Sequence, residues 1–141
     1  MTHLLDINVL IALCDPAHPH ADAARQFFST VATRGGWATC PFVENGFLRI
    51  FGARKYPSGP GSPQRARPLL AGLLATPGHQ LWHDDLTLMD ENLFPDLSTS
   101  GNLTDIYLLG LAVQRGGRFA TFDHRINASL IPGGEAAILK L

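Results

Sequence analysis

Four acidic residues stand where acids are out of place: Asp6, Glu44, Asp105 and Asp123. Asp6 interrupts an apolar run, L-L-D-I-N-V-L-I-A-L over 4–13, in which Asn8 is the other polar residue. A carboxylate in such a run is costly unless it is hydrogen-bonded, paired or bound to a metal. Glu44 shares a face with Phe47, Leu48 and Phe51 by helical spacing, so it heads an otherwise apolar stripe. Asp105 precedes I-Y-L-L-G-L-A-V, and a helix apolar around most of its circumference is buried. Asp123 closes the run R-F-A-T-F-D. Each acid also has a plainer reading. Asp6 and Asp105 suit helix caps or first turns, and Glu44 suits the positive end of a helix dipole. Taken singly, none decides between the two. Taken together they would repel one another unless a cation joined them. Oxygen-only ligands suit Mg²⁺ or Mn²⁺. Such cations among carboxylates catalyse phosphodiester hydrolysis by activating water and neutralising developing charge.

Convergence depends on the elements that carry these acids. Apolar runs bounded by turn residues predict strands over 4–7, 37–40, 80–83, 118–123 and 136–141. Helices are expected over 8–13, 20–33, 41–51, 64–75 and 105–114. In the second, Ala21, Ala24, Phe28 and Val31 form the inner face. In the third, Pro41 occupies the first turn, and in the last Thr104 is the N-cap. Residues 56–63 and 98–102 read as loops, and 84–96 is left between loop and short helix. Strands alternating with helices predict a parallel sheet covered on both faces. In such a sheet, strand C-termini and the N-termini of the following helices share one edge, where ligands bind. Asp6 and Asp123 end strands, Glu44 and Asp105 begin helices, and all four are expected along that edge.

The length, 141 residues with 45% apolar, suits one domain over 1–141 with a single core. No apolar window approaches membrane-spanning length and no signal-type segment opens the chain, so a cytoplasmic location is expected. Cys14 and Cys40 make no C-x-x-C pair, and the histidines have no metal spacing beyond the weak His18-x-His20, which argues against zinc. Asp84, Asp85, Asp90, Glu91 and Asp96 read as a solvated acidic face. The net charge of −1 hides an asymmetry. Residues 45–83 contain no acid, while Arg49, Arg54, Lys55, Arg65 and Arg67 make them basic. That segment is either a phosphate-binding surface beside the acids or an ordinary solvated face.

The constellation resembles the PIN-domain ribonucleases, and most closely the VapC-type toxins of bacterial type II toxin–antitoxin pairs. The resemblance rests on L-L-D-I-N-V-L-I-A-L, P-F-V-E-N-G-F-L-R-I, L-T-D-I-Y-L-L-G-L-A and A-T-F-D-H-R-I, which occur in order and span nearly the whole chain. It implies a three-layer α/β/α sandwich around a five-stranded parallel sheet. It implies that Asp6, Glu44, Asp105 and Asp123 form the acidic, metal-binding quartet, with Mg²⁺ (or Mn²⁺) as cofactor and Asn8 and Thr121 as supporting polar residues. Some relatives carry a further acid after the fourth, where this chain has His124 and Arg125. The resemblance further implies an RNA substrate, often transfer RNA, a VapB-type antitoxin partner and a homodimer. Arg49, Arg54, Lys55, Arg65 and Arg67 are then the candidates for holding the RNA backbone.

Three rivals remain. One keeps the fold as a catalytically inactive PIN-like protein- or RNA-binding module, and four intact acids speak against it. Another is a different Mg²⁺-dependent α/β domain. Aspartyl phosphatases need D-x-D where this chain has Asp6-Ile7-Asn8, and receiver domains need a late strand-end lysine, for which Lys140 comes too late. The third is a DNA-cutting nuclease of the same broad fold, and such enzymes are usually longer.

Overall fold

A three-residue strand, β1 (His3–Leu5), is the centre of the computed structural model, which describes residues 1–98 and 101–141. On one side of it lie β2 (Trp37–Thr39) and β3 (His79–Leu81), and on the other β4 (Arg118–Thr121) and β5 (Ile138–Lys140). The order is β3-β2-β1-β4-β5 and every pairing is parallel. All three residues of β1 are buried, as expected for a central strand flanked on both faces. The expected five-stranded α/β sandwich is therefore the observed fold.

The helices form two groups. α1 (Ile7–Cys14), α2 (Ala21–Phe27), α4 (Pro41–Phe51) and α5 (Pro63–Leu74) pack against one another, and α6 (Leu103–Gln114) packs on β4 and on the short α7 (Gly134–Ala137). Leu4, Leu10, Trp37, Phe47, Leu108 and Phe119 are fully buried between the layers. Register fixes which side chains share a face. Leu5 pairs with Ala120 and lies level with Thr39, one residue beyond the Leu4–Ala38 pair. Since side chains alternate, Asp6 and Thr121 point to one face of the sheet and Thr39 to the other. Among the described residues no helix is long and apolar enough to cross a membrane.

Several expected boundaries shift, each for a local reason. The first helix begins at Ile7 because Asp6 itself is its N-cap. The second element is α2 continued by a π-turn (Phe28–Ala32) and a last turn, α3 (Thr33–Gly35). Phe27 is buried and Phe28 packs half-buried against Trp37, but beyond the start of the wider turn Ala32 is buried in place of Val31, which is exposed. Thr104 is not an N-cap. α6 starts at Leu103 after Asn102, which places Thr104 and Asp105 within its first turn. Residues 84–96 form turns without a helix. Residues 136 and 137, expected in the last strand, close α7 instead. Residues 99 and 100 of the expected polar loop lie outside the described residues.

Gly52 joins α4 to the segment that carries Lys55 and Tyr56. A Cβ there would overlap the Leu48 carbonyl oxygen and lie 2.7 Å from Pro63 Cα, both rigid backbone. Gly72, in α5, has open space around the same position. We predict that Gly52→Ala destabilises the fold by about 3 kcal/mol through overpacking. Gly72→Ala should be neutral or stabilising by up to about 1 kcal/mol. Urea denaturation midpoints check the pair.

Candidate active site

Asp6 is positioned from both ends. Its Oδ1 accepts the Ile7 N–H at 2.7 Å, capping α1, and its Oδ2 accepts the Thr121 hydroxyl at 2.6 Å. Thr121, wholly buried, also accepts the Asp123 N–H at 3.0 Å and the Asn8 amide at 3.4 Å. The Asn8 carbonyl accepts the Phe122 N–H at 3.3 Å. One threonine thus fastens the end of β1 to the end of β4, and Asn8 closes the same loop. The helix cap is observed, and the second oxygen is held across the sheet edge by Thr121.

Asp6, Asn8, Asp105 and Asp123 line one open cavity of about 300 Å³, together with Ile7, Ile11, His18, Ile50 and Tyr56. Burial pushes the Asp6 carboxyl up to about 6. The Thr121 and Ile7 hydrogen bonds oppose that shift, and the charges of Asp105 and Asp123 add to it. Asp105 is likewise raised, by burial and then by Asp123, against the pull of Arg125. Asp123 goes the other way, because Arg125 holds its carboxyl below the usual range. The Arg125 Nε donates to Asp123 Oδ1 at 3.0 Å, its Nη2 to Oδ2 at 3.2 Å, and its backbone N–H to Oδ1 at 2.9 Å.

Glu44 is the acid that the structure does not bring to this cavity. Its Oε2 accepts the Thr39 hydroxyl at 2.8 Å, and Thr39 sits 2.8 Å from His79 Nε2. The single hydroxyl proton goes to the carboxylate, so His79 donates to the threonine oxygen. The register explains the separation. Thr39 points to the sheet face opposite Asp6, and Glu44 in the first turn of α4 follows it there.

Of the basic candidates, Arg49 and Lys55 line a second hollow that shares Ile50 and Tyr56 with the acidic cavity. Arg54, Arg65 and Arg67 are exposed and line neither. Sequence reading missed His18 and Tyr56 as cavity walls. His18 Nδ1 accepts the His20 N–H at 3.0 Å, so the neutral ring carries its proton on Nε2. Burial and the neighbouring His20 keep that ring below its usual pKa. The Tyr56 hydroxyl donates to Asp15 Oδ2 at 2.6 Å, and its ring stands edge-on to Phe51 at 4.9 Å. The aromatic residue that opens a Pro/Gly-rich loop, and the His-x-His spacing before a helix, were the available signals.

Among the described residues no three Asp, Glu, His or Cys side chains form a ready-made metal cage. The chemistry of the donors nevertheless fits a hard cation. The cavity offers three carboxylates and no thiolate, a donor set for a hard cation rather than a soft one. Burial first, and neighbouring carboxylates second, disfavour the charged forms of Asp6 and Asp105, and a divalent charge would offset both.

No protein-family model matches the chain. It is 39% identical to ribonuclease VapC44 of Mycobacterium tuberculosis over 135 residues, 94% of both chains. Its fold is similar to that of VapC20 of Mycobacterium tuberculosis, a sarcin–ricin loop cleaving toxin. The TM-score is 0.67 and the identity 14%, over 92% of this chain and 96% of that one. It is also similar to VapBC2 from Rickettsia felis bound to a DNA fragment from their promoter. There the TM-score is 0.64 and the identity 13%, over 87% of this chain and 89% of that one.

The raised Asp6 carboxyl has a measurable consequence in chelator. Its folded pKa lies above that of the unfolded chain, so its contribution to stability is lost as the pH rises from about 4 to 6. Relative to Asp6→Asn, the wild type should lose about 3 kcal/mol across that window, the equivalent of the shift. Paired urea titrations between pH 4 and 7.5 test this. A constant difference between the two proteins would contradict it.

Proposed function

The chain belongs to the VapC ribonuclease family, and on that premise we propose that it is a divalent-cation-dependent endoribonuclease, the toxin of a toxin–antitoxin pair. The observation that carries the proposal is the meeting of Asp6, Asp105 and Asp123, from three distant chain segments, on one cavity. Asp6, Asp105 and Asp123 would hold Mg²⁺ or Mn²⁺, while Glu44, expected with them from the sequence, stays on Thr39 outside the cavity. The cation supplies charge neutralisation at the phosphodiester and an activated water. Thr121 and Asn8 keep the Asp6 carboxylate aimed and the β1 and β4 ends together. His18 contributes a neutral N–H donor at the cavity wall, suited to a non-bridging phosphate oxygen. Arg125 balances the charge of Asp123. Arg54, Arg65 and Arg67 hold the RNA backbone, and Arg49 and Lys55 meet the RNA at the hollow they line, all five lying in the longest segment free of acids.

The proposed setting is the cytoplasm, with a homodimer and a VapB-type antitoxin as partner. The similarity to the VapBC2 fold supports the kind of partner. The antitoxin would cover the acidic cavity, where unbalanced negative charge favours a cationic side chain.

The purified protein, freed of antitoxin, should cut cellular RNA into discrete fragments with Mg²⁺ present. Fragments should vanish in EDTA and fall on the order of 10³-fold in Asp6→Ala, the loss of several kcal/mol of transition-state stabilisation. Cutting that survives both controls would mark a contaminating nuclease. A folded wild type that cuts nothing would favour the inactive binding module.

A further inference from the structure

Two hollows on this molecule share one wall. Ile50 and Tyr56 line the acidic cavity, and they also line a second hollow of about 500 Å³ completed by Arg49, Ala53, Lys55 and Pro57. The shared wall is fixed. The Tyr56 hydroxyl is bound to Asp15, which is itself held by the Ala17 N–H at 3.0 Å, and the Tyr56 ring rests against Phe51. Gly52 keeps the chain tight against Pro63 just before this segment.

The lining has two chemistries. Ile50, Ala53, Tyr56 and Pro57 offer an apolar surface to a flat ring. Arg49 and Lys55 are exposed and offer hydrogen-bond donors without an acceptor. Single-stranded RNA is recognised by splaying a base onto aromatic and apolar side chains and reading its edge. A donor-only rim selects an edge that carries acceptors alone. Guanine presents two, O6 and N7, side by side, whereas adenine sets a donor beside N7. A surface built only to neutralise phosphates has no need of the apolar floor.

We propose that this hollow is a nucleobase subsite that takes a guanine of the RNA strand next to the scissile phosphate. The proposal rests on the endoribonuclease reading of the acidic cavity and gives that reading a sequence preference. Phosphate at the acids and base against Tyr56 are then the two halves of one nucleotide's grip.

The test uses the full-length, antitoxin-free protein with Mg²⁺ and a pool of short RNAs randomised in sequence, whose cut ends are sequenced. Guanine should be enriched about tenfold at one position beside the cut. Arg49→Met and Lys55→Met should each bring that enrichment below about twofold while the other sequences are still cut. These two side chains are exposed, so the fold is not at stake. Tyr56→Phe keeps the ring but loses the Asp15 anchor, and should weaken the enrichment as well. Wild-type cutting with no flanking preference overturns the subsite, and so does a preference that all three variants retain. Equal loss across all four bases in Arg49→Met and Lys55→Met also overturns it, by making both residues phosphate contacts alone. Cutting that needs Asp6 but ignores the flanking base removes the subsite and leaves the ribonuclease reading standing. A folded wild type that cuts no more than Asp6→Ala overturns both.

Discussion

The hydrogen bond from the Thr121 hydroxyl to Asp6, 2.6 Å long and buried, is the contact on which the site depends. It joins residues 115 apart in sequence. Asp6 follows the last residue of the central strand, caps the first helix and lines the acidic cavity at once. Thr121 ends the neighbouring strand and, through its oxygen, fixes the Asp123 backbone N–H. A parallel sheet brings strand C-termini to one edge. This hydroxyl turns that shared edge into a defined spacing between two acids. A methyl group in its place would leave a buried carboxylate oxygen without a donor, at a cost of about 1–3 kcal/mol.

Charge is the second constraint. Burial and mutual repulsion raise Asp6 and Asp105, so the cavity is electrostatically unfinished. The other two acids are held by the protein's own donors, Asp123 by Arg125 and Glu44 by Thr39. A cation entering the cavity would have to compete with Arg125 for Asp123. Arg125 lies at the surface, where an ion pair contributes little, and its grip on Asp123 is easily exchanged. Thr39 is fully buried and His79 is hydrogen-bonded behind it, so the hold on Glu44 is the firmer one.

Much of this was legible in the sequence, because it follows from period and burial. The alternation of apolar runs gave a parallel α/β sheet, and the chain order of the acids put all four at one edge, of which the structure brings Asp6, Asp105 and Asp123 to one cavity. α4 was readable to its ends because Pro41 opens it and its stripe is regular. Glu44 was harder. Helical spacing showed that it shares a face with Phe47 and Phe51, but the direction of its side chain depends on which sheet face Thr39 occupies. That is a matter of register between strands far apart in sequence. The π-turn at 28–32 was invisible for a related reason, since residue pattern does not encode a one-residue change of helical pitch. His18 and Tyr56 belong to loops, and loops reach a site through geometry that no periodicity records.

The central claim is that Asp6, Asp105 and Asp123 together bind a hard divalent cation. Crystals grown with Mn²⁺ and measured near its absorption edge would test it directly. The account predicts one strong anomalous peak within the cavity, among those three carboxylates, and its loss in Asp105→Asn crystals. A well-ordered structure with Mn²⁺ bound elsewhere, or with no peak at the three acids, would contradict it.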